Sequence, residues 1–146
     1  MIGLFLLCLA TSWILANSIQ LRLTEKEYIA LRREMIEMDL AYRNLASAIA
    51  ISFPNESKRL LESLSEYKIT EHVHHKKAAK TLLRKLKRNN LKKYFENIHK
   101  IAKKAAEKAE KIAQNKLSNW QPVENALIKI ASQCRQCHEK TKVSWK

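Results

Sequence analysis

The chain has 146 residues, of which 28 are Lys or Arg and 14 are Asp or Glu, for a formal charge of +14 at neutral pH. One glycine and two prolines leave little for the tight hairpin turns that an all-β or α/β domain of this length needs, so a helical fold is predicted. Apolar residues at 46% and charged residues at 29% exclude a disordered basic tail and fit one domain with a real core.

Residues 2–19 carry no charge, and the apolar run closes on Ala16-Asn17-Ser18, small residues spaced as an export peptidase prefers. This pattern predicts a signal peptide over residues 1–18, cleaved to leave a periplasmic chain of residues 19–146. No Lys or Arg precedes the run, so an uncleaved N-terminal membrane anchor is the other reading. Cys8 lies within the run and would leave with the signal, so the mature chain keeps two of the three cysteines and no glycine.

Thr24-Glu25-Lys26-Glu27 has the form of a capping box and opens a long helix. Its apolar residues Tyr28, Leu31, Met35, Met38, Tyr42, Leu45 and Ile49 recur at alternating steps of three and four, and Phe53-Pro54 is expected to close it. Leu60, Leu64 and Tyr67 form one short stripe and Ala79, Leu82, Leu83 and Leu86 another, with a break at Lys68-Ile69-Thr70, so this stretch is one broken helix or two. From Leu91 the pattern sharpens: Tyr94, Ile98, Ile101, Ala105, Ala109 and Ile112 follow on one face, and the opposite face is mostly lysine. Gln114 to Gln121 is a polar connection, and Pro122 suits the first turn of a last helix carrying Val123, Leu127, Ile130, Cys134 and Cys137 on one stripe. Four such segments bury their stripes together by packing as an all-α, antiparallel four-helix bundle.

Both mature cysteines fall in Cys134-Arg135-Gln136-Cys137-His138, the C-x-x-C-H spacing at which haem c is covalently attached. Two thiols add to two vinyl groups at one edge of the porphyrin while the adjacent imidazole reaches the iron, so the order and spacing of the three side chains are fixed. His138 is then the proximal axial ligand, and one haem per chain is predicted. A Cys134–Cys137 disulfide is poorly served by the i,i+3 geometry of a helix, and a zinc site lacks a fourth ligand.

With this motif near the C-terminal end of the last helix, the mature chain resembles the class II c-type cytochromes, cytochrome c′ and the low-spin cytochrome c556. The resemblance implies an exported four-helix bundle whose first helix lies across the distal haem face. Leu31-Arg32-Arg33-Glu34-Met35-Ile36-Glu37-Met38 is similar to that segment, with Met35 in the distal position and Met38 one turn further on. The arginines are displaced by one residue from the stripe, and Thr141-Lys142 stands where the family usually has an aromatic-Arg pair. Met35 as second axial ligand gives a six-coordinate iron suited to electron transfer, whereas an open position gives a five-coordinate cytochrome c′ that binds NO or CO. Family members are often homodimers, so a homodimer is also implied.

Between Lys76 and Lys116, fifteen basic residues face three acidic ones, so nearly the whole net charge is local. It suits docking to an acidic redox partner protein, attachment to an anionic membrane surface, or plain solubility. A basic helical interaction module without haem is the reading from another class; nucleic acid is not expected. His72, His74 and His75 cluster without a matching carboxylate or thiol, and they and His99 are read as surface histidines. No paired-carboxylate, Ser-His-Asp or phosphate-cradling motif is present, so no enzymatic activity is predicted.

Overall fold

The computed structural model describes residues 18–66 and 76–146. The expected signal (all but residue 18), Cys8, Tyr67, the break at Lys68-Ile69-Thr70 and the cluster His72, His74 and His75 lie outside the described residues. The elements run β1 (Ile19–Leu23), α1 (Glu25–Ala50), α2 (Pro54–Ser65), α3 (Lys76–Arg88), α4 (Lys92–Ala113), α5 (Gln121–Lys140) and β2 (Thr141–Trp145). The fold is mainly helical, as the composition requires, and among the described residues between Pro54 and Arg88 there are two helices.

Two short strands depart from the purely helical expectation. They pair in parallel, Ile19 opposite Thr141 through Leu23 opposite Trp145. Scarce glycine excludes hairpins, but a parallel pair drawn from distant parts of the chain needs no tight turn. Leu21 and Leu23 are buried while Gln20 and Arg22 face out, the period-two alternation of a half-buried strand. The Trp145 ring stacks on Tyr28 of α1 at a centroid distance of 3.9 Å.

The helix ends follow from local chemistry. At the start of α1 the Thr24 hydroxyl accepts from the Glu27 N–H at 3.4 Å, and the Thr24 N–H donates to the Glu27 carboxylate at 2.7 Å. The helix stops at Ala50, earlier than the expected Phe53-Pro54, because Ser52 turns into the left-handed region at φ 54° and Phe53 N–H returns to the Ala48 carbonyl. Pro54 opens α2 instead of closing α1. Asn90 and Asn115, at φ 56° and 55°, end α3 and α4 in the same way. In a glycine-poor chain asparagine is a side chain that tolerates this conformation.

Two contiguous clusters form the core. The first joins Leu45 and Ala48 of α1, Leu60, Leu61 and Leu64 of α2, Ile98 to Ile112 of α4, and Val123, Ala126 and Ile130 of α5. The second joins Leu21 and Leu23 of β1, Ala30 and Leu31 of α1, Leu82 and Leu86 of α3, and Leu91, Tyr94 and Phe95 of α4. Thus α1 and α4 run from the second cluster to the first, while α5 starts in the first and reaches the second at Cys137. Alanines 102, 105, 106 and 109 on the inner face of α4 let its neighbours approach closely. Truncating Leu61, which is 0% exposed, to alanine would cost about 2–5 kcal/mol.

Glu27 is a charged residue inside this core, 2% exposed. Its carboxylate accepts from Lys85 of α3 at 2.6 Å, and the same ammonium donates to the Arg22 carbonyl at 3.1 Å, tying β1, α1 and α3 together. Burial pushes the Glu27 carboxyl up, but the hydrogen bonds from Lys85 and the Thr24 backbone outweigh it and hold it below its ordinary 4.5. A depressed folded pKa gives stability that is complete above the ordinary value and lost as pH falls through the folded one. Lys85→Met should therefore cost about 1–3 kcal/mol at neutral pH, with the deficit narrowing toward about pH 3, in urea unfolding at both pH values. A deficit independent of pH would contradict the pairing.

Candidate functional site

The last helix runs without interruption through Cys134, Cys137 and His138 and ends only at Thr141, whose N–H caps the His138 carbonyl. Its rotation is set by Val123, Ala126 and Ile130, all buried. Carrying that phase forward at three-four spacing turns both cysteines inward: Cys134 packs on the first cluster and Cys137 on the second. Both are half-buried free thiols, and His138 is exposed to solvent on one side.

These three side chains line a cavity of about 450 Å³. Across it stand Met35, Met38 and Tyr42 of α1, and Tyr94, Phe95 and Ile98 of α4 form its floor. Arg32, Ile36 and Asp39 stand on the α1 rim. A second space of about 350 Å³ shares Met35, Phe95, Cys137 and His138 with the first and extends under the strands to Leu21, Thr141 and Val143. Apolar side chains dominate both, and each falls in the size range of small-molecule and cofactor pockets.

All four side chains expected at the site, Cys134, Cys137, His138 and Met35, therefore border one space. Met35 lines both parts of it, whereas Met38 lines only the first. Phe95 was not singled out from the sequence, since it falls beside the three-four stripe of α4; only the width of that helix's apolar arc signals it. Glu34, next to Met35, is likewise buried at 2% exposure, which its charge gave no reason to expect.

Burial pushes the Cys134 thiol above its ordinary 9.0, and the neighbouring Cys137 adds to the effect. Burial raises Cys137 as well, partly opposed by the nearby Thr141 hydroxyl. Burial thus holds both sulfurs further from the thiolate, the form that grips a metal or acts as a nucleophile. Among the described residues no group of three or more His, Cys, Asp or Glu is arranged to hold a metal ion. His99, expected at the surface, is half-buried; burial lowers its pKa and Glu96 partly opposes the shift. Among the described residues no helix is long and apolar enough to cross a membrane.

Comparison with protein-family models, with curated proteins and with solved structures finds no match to this chain. The site is therefore read from its own residues. In the haem-free chain, alkylation of Cys134 and Cys137 by iodoacetamide should be slow at pH 7, with a pH midpoint above the ordinary 9.0. A midpoint below that value would contradict the buried, uncharged environment.

Proposed function

We propose that this protein is an exported, periplasmic monohaem c-type cytochrome of the class II kind, acting in electron transfer. In this reading α2 and α3 together take the second position of an antiparallel four-helix bundle, as the opposed directions of α1 and α5 and the division of α2 and α3 between the two clusters suggest. The observation that carries it is the apolar cavity with C-x-x-C-H on one wall and two methionines on the other.

The residues present fit the cofactor. Cys134 and Cys137 would hold its two vinyl edges, His138 would take one axial position of the iron, and Met35 the other, with Met38 the next candidate. Bound there, haem supplies a one-electron couple. The protein's part is to exclude water with Tyr94, Phe95 and Ile98, to fix the imidazole on a rigid helix end, and to present a thioether opposite it. Met35 is favoured over Met38 because it borders both spaces that meet at His138. Haem held this way needs no substrate site, and no catalytic turnover is assigned.

Haem staining after denaturing electrophoresis should be positive for the chain exported by cells that mature cytochromes. A negative stain would leave a basic helical interaction module with two thiols. The ferric spectrum should be low-spin with a methionine-to-iron charge-transfer band, and Met35→Ala should abolish that band and turn the iron high-spin. A wild-type spectrum that is high-spin and responds to NO or CO would assign the gas-binding alternative, and an unchanged Met35→Ala spectrum would remove Met35 from the iron.

A further inference from the structure

The fold divides the fifteen basic residues of the lysine-rich stretch between separate surfaces. On α4, Lys93, Asn97, Lys100, Lys104, Lys108 and Lys111 recur at steps of three and four, and all are exposed. On α5, Lys129, Gln133, Gln136 and Lys140 form a matching stripe, its lysines exposed and its amides half-buried. The Asn97 amide donates to the Gln133 carbonyl oxygen at 3.0 Å, so the two stripes flank one seam. Neither stripe contains an acid. Two of the α4 carboxylates pair elsewhere, Glu96 with Lys92 at 2.8 Å and Glu110 with Lys58 of α2 at 2.9 Å. Glu107 is exposed outside the stripe.

We propose that the α4–α5 seam is the docking surface for an acidic protein that exchanges electrons with this one. The redox role of that partner rests on the haem reading above. Cys134 and Cys137 lie on the inner side of α5 and the seam stripe on the flank of the same helix that faces α4; Gln133 of that stripe itself lines the cavity, so a docked partner stands against the cavity wall. The seven lysines of the two stripes supply long-range attraction for carboxylates, and the interleaved amides supply directional hydrogen bonds that fix orientation.

An anionic bilayer fits the same surface less well. The apolar faces of α3, α4 and α5 are mostly committed to the core, and among the described residues neither stripe holds a large exposed apolar side chain to insert below the headgroups. Fixed amides also gain little from lipids that diffuse freely.

The mature chain is titrated with poly-L-glutamate in low-salt buffer and followed by backbone amide NMR, a readout that needs no haem. The largest shifts are expected at Lys100, Lys104, Lys129 and Gln133. Lys100→Glu with Lys104→Glu should weaken binding about tenfold or more, and Lys80→Glu with Arg84→Glu, the same charge change on α3, by less than about threefold. Equal losses from the two pairs, or largest shifts on α3, would overturn the seam. So would tighter binding through the same lysines to phosphatidylglycerol vesicles at physiological salt, which would make the surface lipid-directed. A colourless preparation that still binds through the seam refutes the cofactor alone, and a haem-bearing one that fails to discriminate refutes the seam alone.

Discussion

Everything at the candidate site depends on the burial of one helix face. Val123, Ala126 and Ile130 lock α5 into the first cluster, and because the helix continues unbroken to Lys140 their rotation is inherited by Cys134 and Cys137. A shift of one residue would swing the thiols about 100° out of the cavity, since each residue turns a helix by that angle. The opposite wall is set by the same means: Leu31 and Leu45, both buried on α1, hold Met35 and Met38 between them toward the same space. Hydrophobic burial, which is non-directional, thereby yields a defined arrangement of sulfur and imidazole once it acts on helices of fixed period.

The end of the molecule that carries Cys137 is reinforced by contacts the helices do not make. Parallel pairing joins the segment just before α1 to the segment just after His138, and the Tyr28–Trp145 stack closes that pairing against α1. Glu27 and Lys85 then bind the strand, the start of α1 and α3 to one another. These links matter because the second part of the cavity lies beneath the strands, where α2 and most of the core do not reach.

Much of this was legible in the residue pattern, and for a physical reason. Of the stripe expected from Leu91 through α4, Leu91, Tyr94, Ile98, Ala105, Ala109 and Ile112 are buried and Ile101 is half-buried, and Val123 and Ile130 of α5 are buried as expected, because a 3.6-residue period leaves an amphipathic helix only one face to bury. The capping box at Thr24 and the opening of α5 at Gln121-Pro122 also follow from local chemistry. The β1–β2 pair did not: its partners are more than a hundred residues apart, and only their meeting gives either strand its hydrogen bonds. Glu27, Glu34 and His99 were unreadable for a related reason, since a titratable side chain becomes a core residue only through neighbours from other helices. The motif Cys134-x-x-Cys137-His138 marks a candidate site from spacing alone, whereas Phe95 and Tyr42 entered that site only through the packing that surrounds it.

The central claim is a covalent one, that two thiols on the inner face of α5 carry a porphyrin whose iron is held by the next side chain. Peptide mapping by tandem mass spectrometry of protein exported from cytochrome-maturing cells tests it most directly. The account predicts that the peptide containing Cys134, Cys137 and His138 carries the mass of one haem, joined through both sulfurs and absent from every other peptide. That peptide recovered at the mass of its bare sequence, with two free thiols or a disulfide, would contradict it.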